Sequence, residues 1–196
     1  TSFKPGNPVF GYDDNKFGGH AQFKVIKESG ALALIPDGID MEVAAVMTEG
    51  SHYALSNIRA AKVKKGDSVL VYGATGAIGS AAVQLLRHFG AYVEAVCNTK
   101  NVGLVRTLGA DEVIDYQTQD FTQTDRRFDF VFDAVGKSSF GQCKPLLKPK
   151  GIYISTELGK RSENIGLAMT TPLFGGKRVL FPLPVMRRDD ILYLRD

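Results

Sequence analysis

The sequence predicts an α/β fold organised as a doubly wound parallel sheet, and three observations lead there. Short apolar runs rich in Val, Ile, Phe and Tyr alternate with helical stretches, the order that parallel strands joined by crossover helices require. The run "VLVY" (Val69 to Tyr72) is apolar without alternation, as a strand covered on both faces should be. A cluster of small residues, "GATGAIG" (Gly73 to Gly79), stands between that run and the next helical stretch.

In chain order, Thr1 to Pro36 comes first and is rich in Gly, Pro and aromatics; "AQFKVI" (Ala21 to Ile26) and "ALALIP" (Ala31 to Pro36) read there as short strands between turns. This segment is too small for a sheet core of its own and must pack on the next domain or belong to a larger one. From Asp40 to Ala60 apolar residues recur three and four apart, which predicts a helix with Asp40 as N-cap. Strands are expected at Asp67 to Gly73, Tyr92 to Cys97, Glu112 to Tyr116, Phe128 to Val135 and Gly151 to Thr156. Helices are expected between them at Ala77 to Phe89, Asn101 to Leu108 and Ser138 to Leu147. Beyond Thr156 the pattern weakens to one more strand, Arg178 to Phe181, and a helix beginning in "DDILYLRD".

Composition removes several functions. The chain has 196 residues, 44% of them hydrophobic and 23% charged, so it can build an ordinary core. A net charge of +3 provides no broad basic field, so no nucleic-acid partner is expected. No apolar run is long enough to span a bilayer, and no signal peptide is read at the N-terminus, so no membrane partner is expected. Two cysteines, Cys97 and Cys143, fit a reduced, cytoplasmic protein. His20, His52 and His88 are scattered and no C-x-x-C or H-E-x-x-H occurs, so no metal site is expected.

The turn from Gly73 to Gly79 carries the function. A strand before it and a helix after it give the setting of a dinucleotide-binding turn, although Ala74 stands where the common fingerprint has Gly. Gly76 lets the main chain approach a pyrophosphate, Gly79 lets the helix lie close to the strand, and the amides of Ala77 and Ile78 point at the phosphates. An acid is usual about 20 residues beyond the glycines, to hold both ribose hydroxyls of NAD. The corresponding residue here is Asn98 (98 − 76 = 22 positions on), followed by Thr99 and Lys100. A hydroxyl, an amide and a cation suit a 2′-phosphate that a carboxylate would repel, which favours NADPH. The missing acid also counts against a methyltransferase.

The chain resembles the medium-chain dehydrogenase/reductase superfamily, in its zinc-independent quinone oxidoreductase-like branch. "FKPGNPVFG" (Phe3 to Gly11), "GALALIP" (Gly30 to Pro36), "KKGDSVLVYGATGAIGSAAVQLLRHFGA" (Lys64 to Ala91), "LGADEVIDY" (Leu108 to Tyr116), "FDFVFDAVG" (Phe128 to Gly136) and "LKPKGIYIS" (Leu147 to Ser155) carry the likeness. It implies a Rossmann-type domain over residues 39–182, preceded by a GroES-like catalytic-domain remnant over 1–38 and followed by the start of a return segment over 183–196. Family members are longer at both ends. By position, Gly76 to Gly79 face the pyrophosphate, Asn98, Thr99 and Lys100 surround the 2′-phosphate, and Tyr116 lies beside the adenosine. Val135 and Gly136 approach the ribose near the nicotinamide, and Ser155 to Leu158 line the nicotinamide side. Tyr53 replaces a small hydroxyl residue expected near the carboxamide.

The implied activity is an NADPH-dependent oxidoreductase delivering hydride to a quinone or an α,β-unsaturated carbonyl. Tyr53 is the one candidate proton donor, since a phenol can donate to a developing enolate; its competing role is packing, and His52 beside it reads as surface or helix filler. Two alternatives stand beside it: a nucleotide-binding regulatory or structural module without turnover, and an enoyl-reductase segment of a larger synthase. A homodimer joined by edge strands near Lys177 to Leu183 is also implied.

Overall fold

The structure is a computed structural model, and it describes residues 3–13, 18–185 and 187–196. An antiparallel hairpin opens the described chain, with β1 (Val9–Tyr12) paired to β2 (Ala31–Leu34). The long helix α1 (Met41–Ala61) leads into the main sheet. Its strands are β3 (Ser68–Tyr72), β4 (Tyr92–Cys97), β5 (Glu112–Asp115), β6 (Phe128–Asp133), β7 (Leu147–Ser155) and β8 (Arg178–Leu180). Between or after them run α2 (Ala77–His88), α3 (Val102–Thr107), α4 (Phe140–Cys143), α5 (Glu163–Thr170) and α6 (Arg188–Arg195). The spatial order is β5-β4-β3-β6-β7-β8 and every pairing is parallel. The chain therefore starts at the centre, winds outward to β5, then returns across β3 and winds the other way. That reversal between β3 and β6 opens a crevice at the carboxyl ends of the strands, where such sheets bind ligands.

Strand alternation divides the core. Val69, Val71, Val93, Ala95, Phe130, Phe132, Ile152 and Ile154 face the layer containing α1, α2 and α3. Leu70, Val96, Val131, Tyr153 and Val179 face the other layer with Phe140 and Leu146. Burial on both faces explains the continuous apolar runs. A third, smaller core joins the two ends of the chain: Phe10, Ala31 and Ala33 of the hairpin, Ala44 of α1 and fully buried Ile191 of α6. Arg59 binds α6 to α1 through an ion pair to Asp190, with its guanidinium 5.1 Å from the Tyr193 ring centre.

Several sequence expectations are corrected. Ala21 to Ile26 forms no strand; Phe23 and Val25 are 90% and 91% exposed, because the alternating run meets no partner strand. The helix expected over Ser138 to Leu147 reduces to four residues of α4 and a 3₁₀ turn, since Pro145 has no N–H to continue the α pattern. Asp40 occupies the N-cap position of α1 with extended backbone, but its side chain makes no cap hydrogen bond. α5, absent from the sequence reading, packs beside β8. No helix among the described residues is long and apolar enough to cross a membrane.

Candidate functional site: the turn at the crevice

β3 ends at Tyr72, and the next residue, Gly73, with a φ of +85°, supplies the left-handed kink of the turn. Ala74 is tolerated because the unusual dihedral falls one residue earlier. Both amides, Gly73 N–H and Ala74 N–H, donate to the Val96 carbonyl at 3.2 Å, tying the turn to β4. Gly76 is the N-cap of α2, with extended backbone, and no side chain caps the helix. Its first intrahelical bond is Ser80 N–H to Gly76 O at 2.8 Å, so the amides of Ala77, Ile78 and Gly79 lie at the crevice as open donors of the first turn.

The two glycines differ in what their missing Cβ would meet. At Gly79 it would lie 2.8 Å from the Gly73 carbonyl carbon and closer still to its oxygen, so glycine is demanded by the packing of α2 on the turn. At Gly76 it would meet only Gly73 O, at 3.8 Å, and otherwise point into open space. Among the described residues nothing requires glycine there.

On the first-half side of the crevice, β4 delivers Asn98, Thr99 and Lys100. Asn98 Oδ1 is buried without a hydrogen-bond partner, while Lys100 is exposed. Thr99 is engaged: its hydroxyl donates to Asp115 Oδ2 at 2.5 Å and its amide to Gln117 Oε1 at 3.2 Å. Asp115 is the residue that sequence reasoning missed. A fixed offset along the chain examines only the end of β4, whereas Asp115 arrives from β5, in register with Cys97. The signal was present in "VIDY". Asp115 Oδ1 also accepts from Gln117 N–H at 3.0 Å. Tyr116, next in sequence, is half-exposed and lines a groove of about 410 Å³ with Tyr72 and Phe121, whose rings pack tilted by 41° with centres 4.7 Å apart. Burial, then the Asp133 carboxylate, pushes the Tyr72 phenol up.

On the second-half side, Val135 forms the wall behind Gly73, where a Cβ would lie 2.5 Å from Val135 Cγ1. The fully buried Asp133 carboxylate organises this loop. Its Oδ1 accepts Val135 N–H at 3.1 Å, and its Oδ2 accepts Ser138 N–H at 2.8 Å and the hydroxyls of Ser138 at 2.7 Å and Tyr153 at 3.2 Å. Gly136 takes φ +63°. Ser155 is buried and its hydroxyl accepts Glu157 N–H at 3.2 Å, so it supports the following loop, in which Leu158 is exposed.

The structure thus gathers Gly76 to Gly79, Asn98 to Lys100, Tyr116, Val135 and Gly136 around the strand ends. Tyr53 is half-buried on α1, its ring 5.1 Å from His52, three residues beyond Gly50, where a Cβ would lie 2.6 Å from the Ala77 carbonyl carbon. His52 is not a surface residue: it is 2% exposed, and Tyr12 packs on it at 4.7 Å. Cys97 and Cys143 are free and buried, and burial pushes the Cys143 thiol up to about 11. Among the described residues, no three His, Cys, Asp or Glu side chains come together to hold a metal.

Comparison with known proteins places this geometry. A family described as "Zinc-binding dehydrogenase" matches residues 77–182. The trans-enoyl reductase pgmF of Aspergillus terreus is 36% identical over 138 residues, covering 68% of this chain and 39% of the relative. The chloroplastic NADPH-dependent alkenal/one oxidoreductase of Arabidopsis thaliana is 36% identical over 123 residues, covering 62% of this chain and 32% of that protein. The quinone oxidoreductase structure from Coxiella burnetii shares the fold with a TM-score of 0.73 at 24% identity, covering 84% of this chain and 51% of that one. The chain spans well under two thirds of the length of these relatives. It belongs to the zinc-binding dehydrogenase family, in the quinone oxidoreductase-like branch of the medium-chain dehydrogenase/reductase superfamily.

Proposed function

We propose that this chain carries the cofactor-binding part of an NADPH-dependent oxidoreductase whose hydride acceptor is a quinone or an α,β-unsaturated carbonyl. The observation that carries the reading is the open space off Gly76, directly before the uncapped amides of Ala77 to Gly79. That cradle suits a diphosphate, held by N–H donors and the positive end of the helix dipole. Reduced nicotinamide, when bound, supplies the hydride. The residues bind and orient: the turn fixes the diphosphate, Lys100 attracts the 2′-phosphate, and Asn98 and Tyr116 border the adenosine. Gly136 and Leu158 border the other half of the dinucleotide.

The printed names of the relatives, an enoyl reductase and an alkenal/one oxidoreductase, support a conjugated acceptor. Such an acceptor spreads negative charge over its conjugated system, so hydrogen bonding can replace a Lewis acid, and zinc-independence belongs to this reading. Tyr53 is its proton-donor candidate. Its domain scheme is a catalytic-domain remnant at 1–38, the nucleotide domain at 39–182 and a return segment from 183. A homodimer through the β8 edge is supported by exposed Met169, Leu173 and Phe174 nearby, and a cytoplasmic location by the two free cysteines.

The test is fluorescence titration with NADPH, then steady-state oxidation of NADPH by a simple benzoquinone and by an enone. Saturable binding and acceptor-dependent oxidation are expected of the full-length protein. Binding without oxidation leaves a nucleotide-binding module; no binding removes the reading.

A further inference from the structure

The connection from β5 to β6, residues 116–127, holds one 3₁₀ turn, Phe121–Gln123, and no α-helix. Parallel strands are usually joined through a helix that covers the strands it crosses. Here a bare chain makes the crossing, and a groove of about 590 Å³ opens between it and β4 and β5, lined in part by Glu94, Glu112, Asp120 and Arg126. Side chains tie the crossover down at both ends. Near the crevice, Phe121 packs on Tyr72, and Gln117 Oε1 accepts Thr99 N–H at 3.2 Å. Toward the amino ends of the strands, Arg126 Nε lies 3.2 Å from Glu94 Oε2, with its guanidinium 4.4 Å from the Tyr92 ring centre. Arg127, beside it, donates instead to the Thr124 and Arg126 carbonyls, inside the crossover.

Glu94 is 5% exposed, on the sheet face where Leu70, Val96 and Ile114 belong to the core. Glu112 stands beside it in register on β5, a second carboxylate on the same face. A carboxylate in that setting needs a counter-charge to stay ionised, and Arg126 supplies it. Asp120, which lines the same groove, adds a further negative charge. Burial is the largest influence and pushes the Glu94 carboxyl up; Arg126 opposes it, Glu112 reinforces it, and a hydrogen bond from Thr124 opposes it again. Only the ionised form grips Arg126 as an ion pair.

We propose that Glu94 is a positioning residue: by gripping Arg126 it holds the crossover on the sheet and fixes Tyr116 and Gln117 at the adenosine end of the crevice. This inference rests on the nucleotide reading above and adds a control to its adenosine half. The hold is complete while Glu94 is ionised. It is lost as pH falls and the carboxyl takes up a proton, at a higher pH than an ordinary glutamate. Folding stability runs the other way. Because burial raises the value, protonation of Glu94 favours the folded chain. A purely structural role would therefore show the opposite pH trend.

Hydrogen–deuterium exchange and NADPH titration of the full-length protein read the hold from both sides. Glu94→Gln keeps the shape of the side chain and removes its charge. Arg126→Gln, at a half-exposed site, repeats the test should the first variant fail to fold. At about pH 8 either variant should exchange faster than wild type over residues 116–127, with α2 unchanged, and bind NADPH about three- to fivefold more weakly. The ratio of variant to wild-type Kd should fall toward one as the solution is acidified toward about pH 5 and wild-type Glu94 takes up its proton. Protonation of the 2′-phosphate is common to both proteins and cancels in that ratio. Unchanged exchange over 116–127, or a Kd ratio indifferent to pH, overturns the proposal. If the wild-type protein binds no NADPH, the nucleotide reading fails, and faster exchange alone then keeps the hold of Glu94 on the crossover.

Discussion

The carbonyl group of Gly73 fills the space in which Gly79 would carry a Cβ, so α2 rests directly on the turn from which it springs. Gly76, between them, has that space free. The two substitutions should therefore separate stability from binding. Gly79→Ala must push the helix off the turn, and a cost of about 1–3 kcal/mol is expected as a lowered Tm in circular dichroism. Gly76→Ala loses only part of a helix cap, about 1 kcal/mol or less. It should nevertheless weaken NADPH by at least tenfold in a fluorescence titration. Equal thermal losses for the two variants would contradict this division.

Asp115 sets a carboxylate beside the end of β4, where the sequence offset showed none. Its oxygens are engaged by Thr99 and Gln117, yet its charge remains near the place proposed for the 2′-phosphate. Asp115→Asn should preserve the Thr99 contact through the amide oxygen and tighten NADPH relative to NADH several-fold. Lys100→Ala should act in the opposite direction, weakening NADPH and leaving NADH nearly unchanged. The ratio of the two Kd values at low salt is the measurement. An unaltered ratio in both variants would move the 2′-phosphate away from this corner.

What the sequence could reveal depended on whether the determining contacts were local. β3 to β7 and α2 are legible because a strand buried on both faces and a helix following a small-residue turn each write their pattern in adjacent residues. Val69 and Leu70 face opposite cores, and both must be apolar. The run from Ala21 to Ile26 has strand chemistry without a strand to pair with, which no local pattern reports. Asp115 and Asn164 were passed over for the same reason. Asp115 matters through its register with Cys97, and Asn164 through the Glu157 carbonyl that it binds. Gly76 and Gly79 were both legible as glycines of a turn, but only the packing distinguishes the one that the helix needs from the one with open space beside it.

The Asp133 carboxylate joins the core to the crevice. Four donors from Val135, Ser138 and Tyr153 converge on it in a fully buried setting. Asp133→Asn removes an acceptor while keeping the shape, and should destabilise the chain by about 3 kcal/mol in urea unfolding. It should also weaken NADPH, because Val135 walls the turn at Gly73. Tyr153→Phe removes one donor of four and should cost about 1 kcal/mol with little change in binding. If Tyr153→Phe matched Asp133→Asn, the phenol rather than the carboxylate would be the centre of the network.

At the opposite end of the sheet, Asp129 binds three elements together. Its Oδ2 accepts Ser68 N–H at 2.8 Å, the Ser68 hydroxyl at 3.0 Å and Lys148 Nζ at 2.7 Å, linking β3, β6 and β7. Burial opposes its charge, but the Lys148 ammonium and the Ser68 donors prevail and hold the carboxyl below its ordinary value. A carboxyl whose pKa is lower folded than unfolded adds stability that is complete above the unfolded value, about 3.9, and disappears as pH falls through the folded value. Asp129→Asn should therefore lower stability by about 1–2 kcal/mol at neutral pH. The difference from wild type should shrink as the solution is acidified below about pH 4. Urea unfolding at neutral pH and at about pH 3.5 reads both effects. A gap that stayed constant across the two conditions would show that Asp129 stabilises the strands by hydrogen bonding alone, without a contribution from its charge.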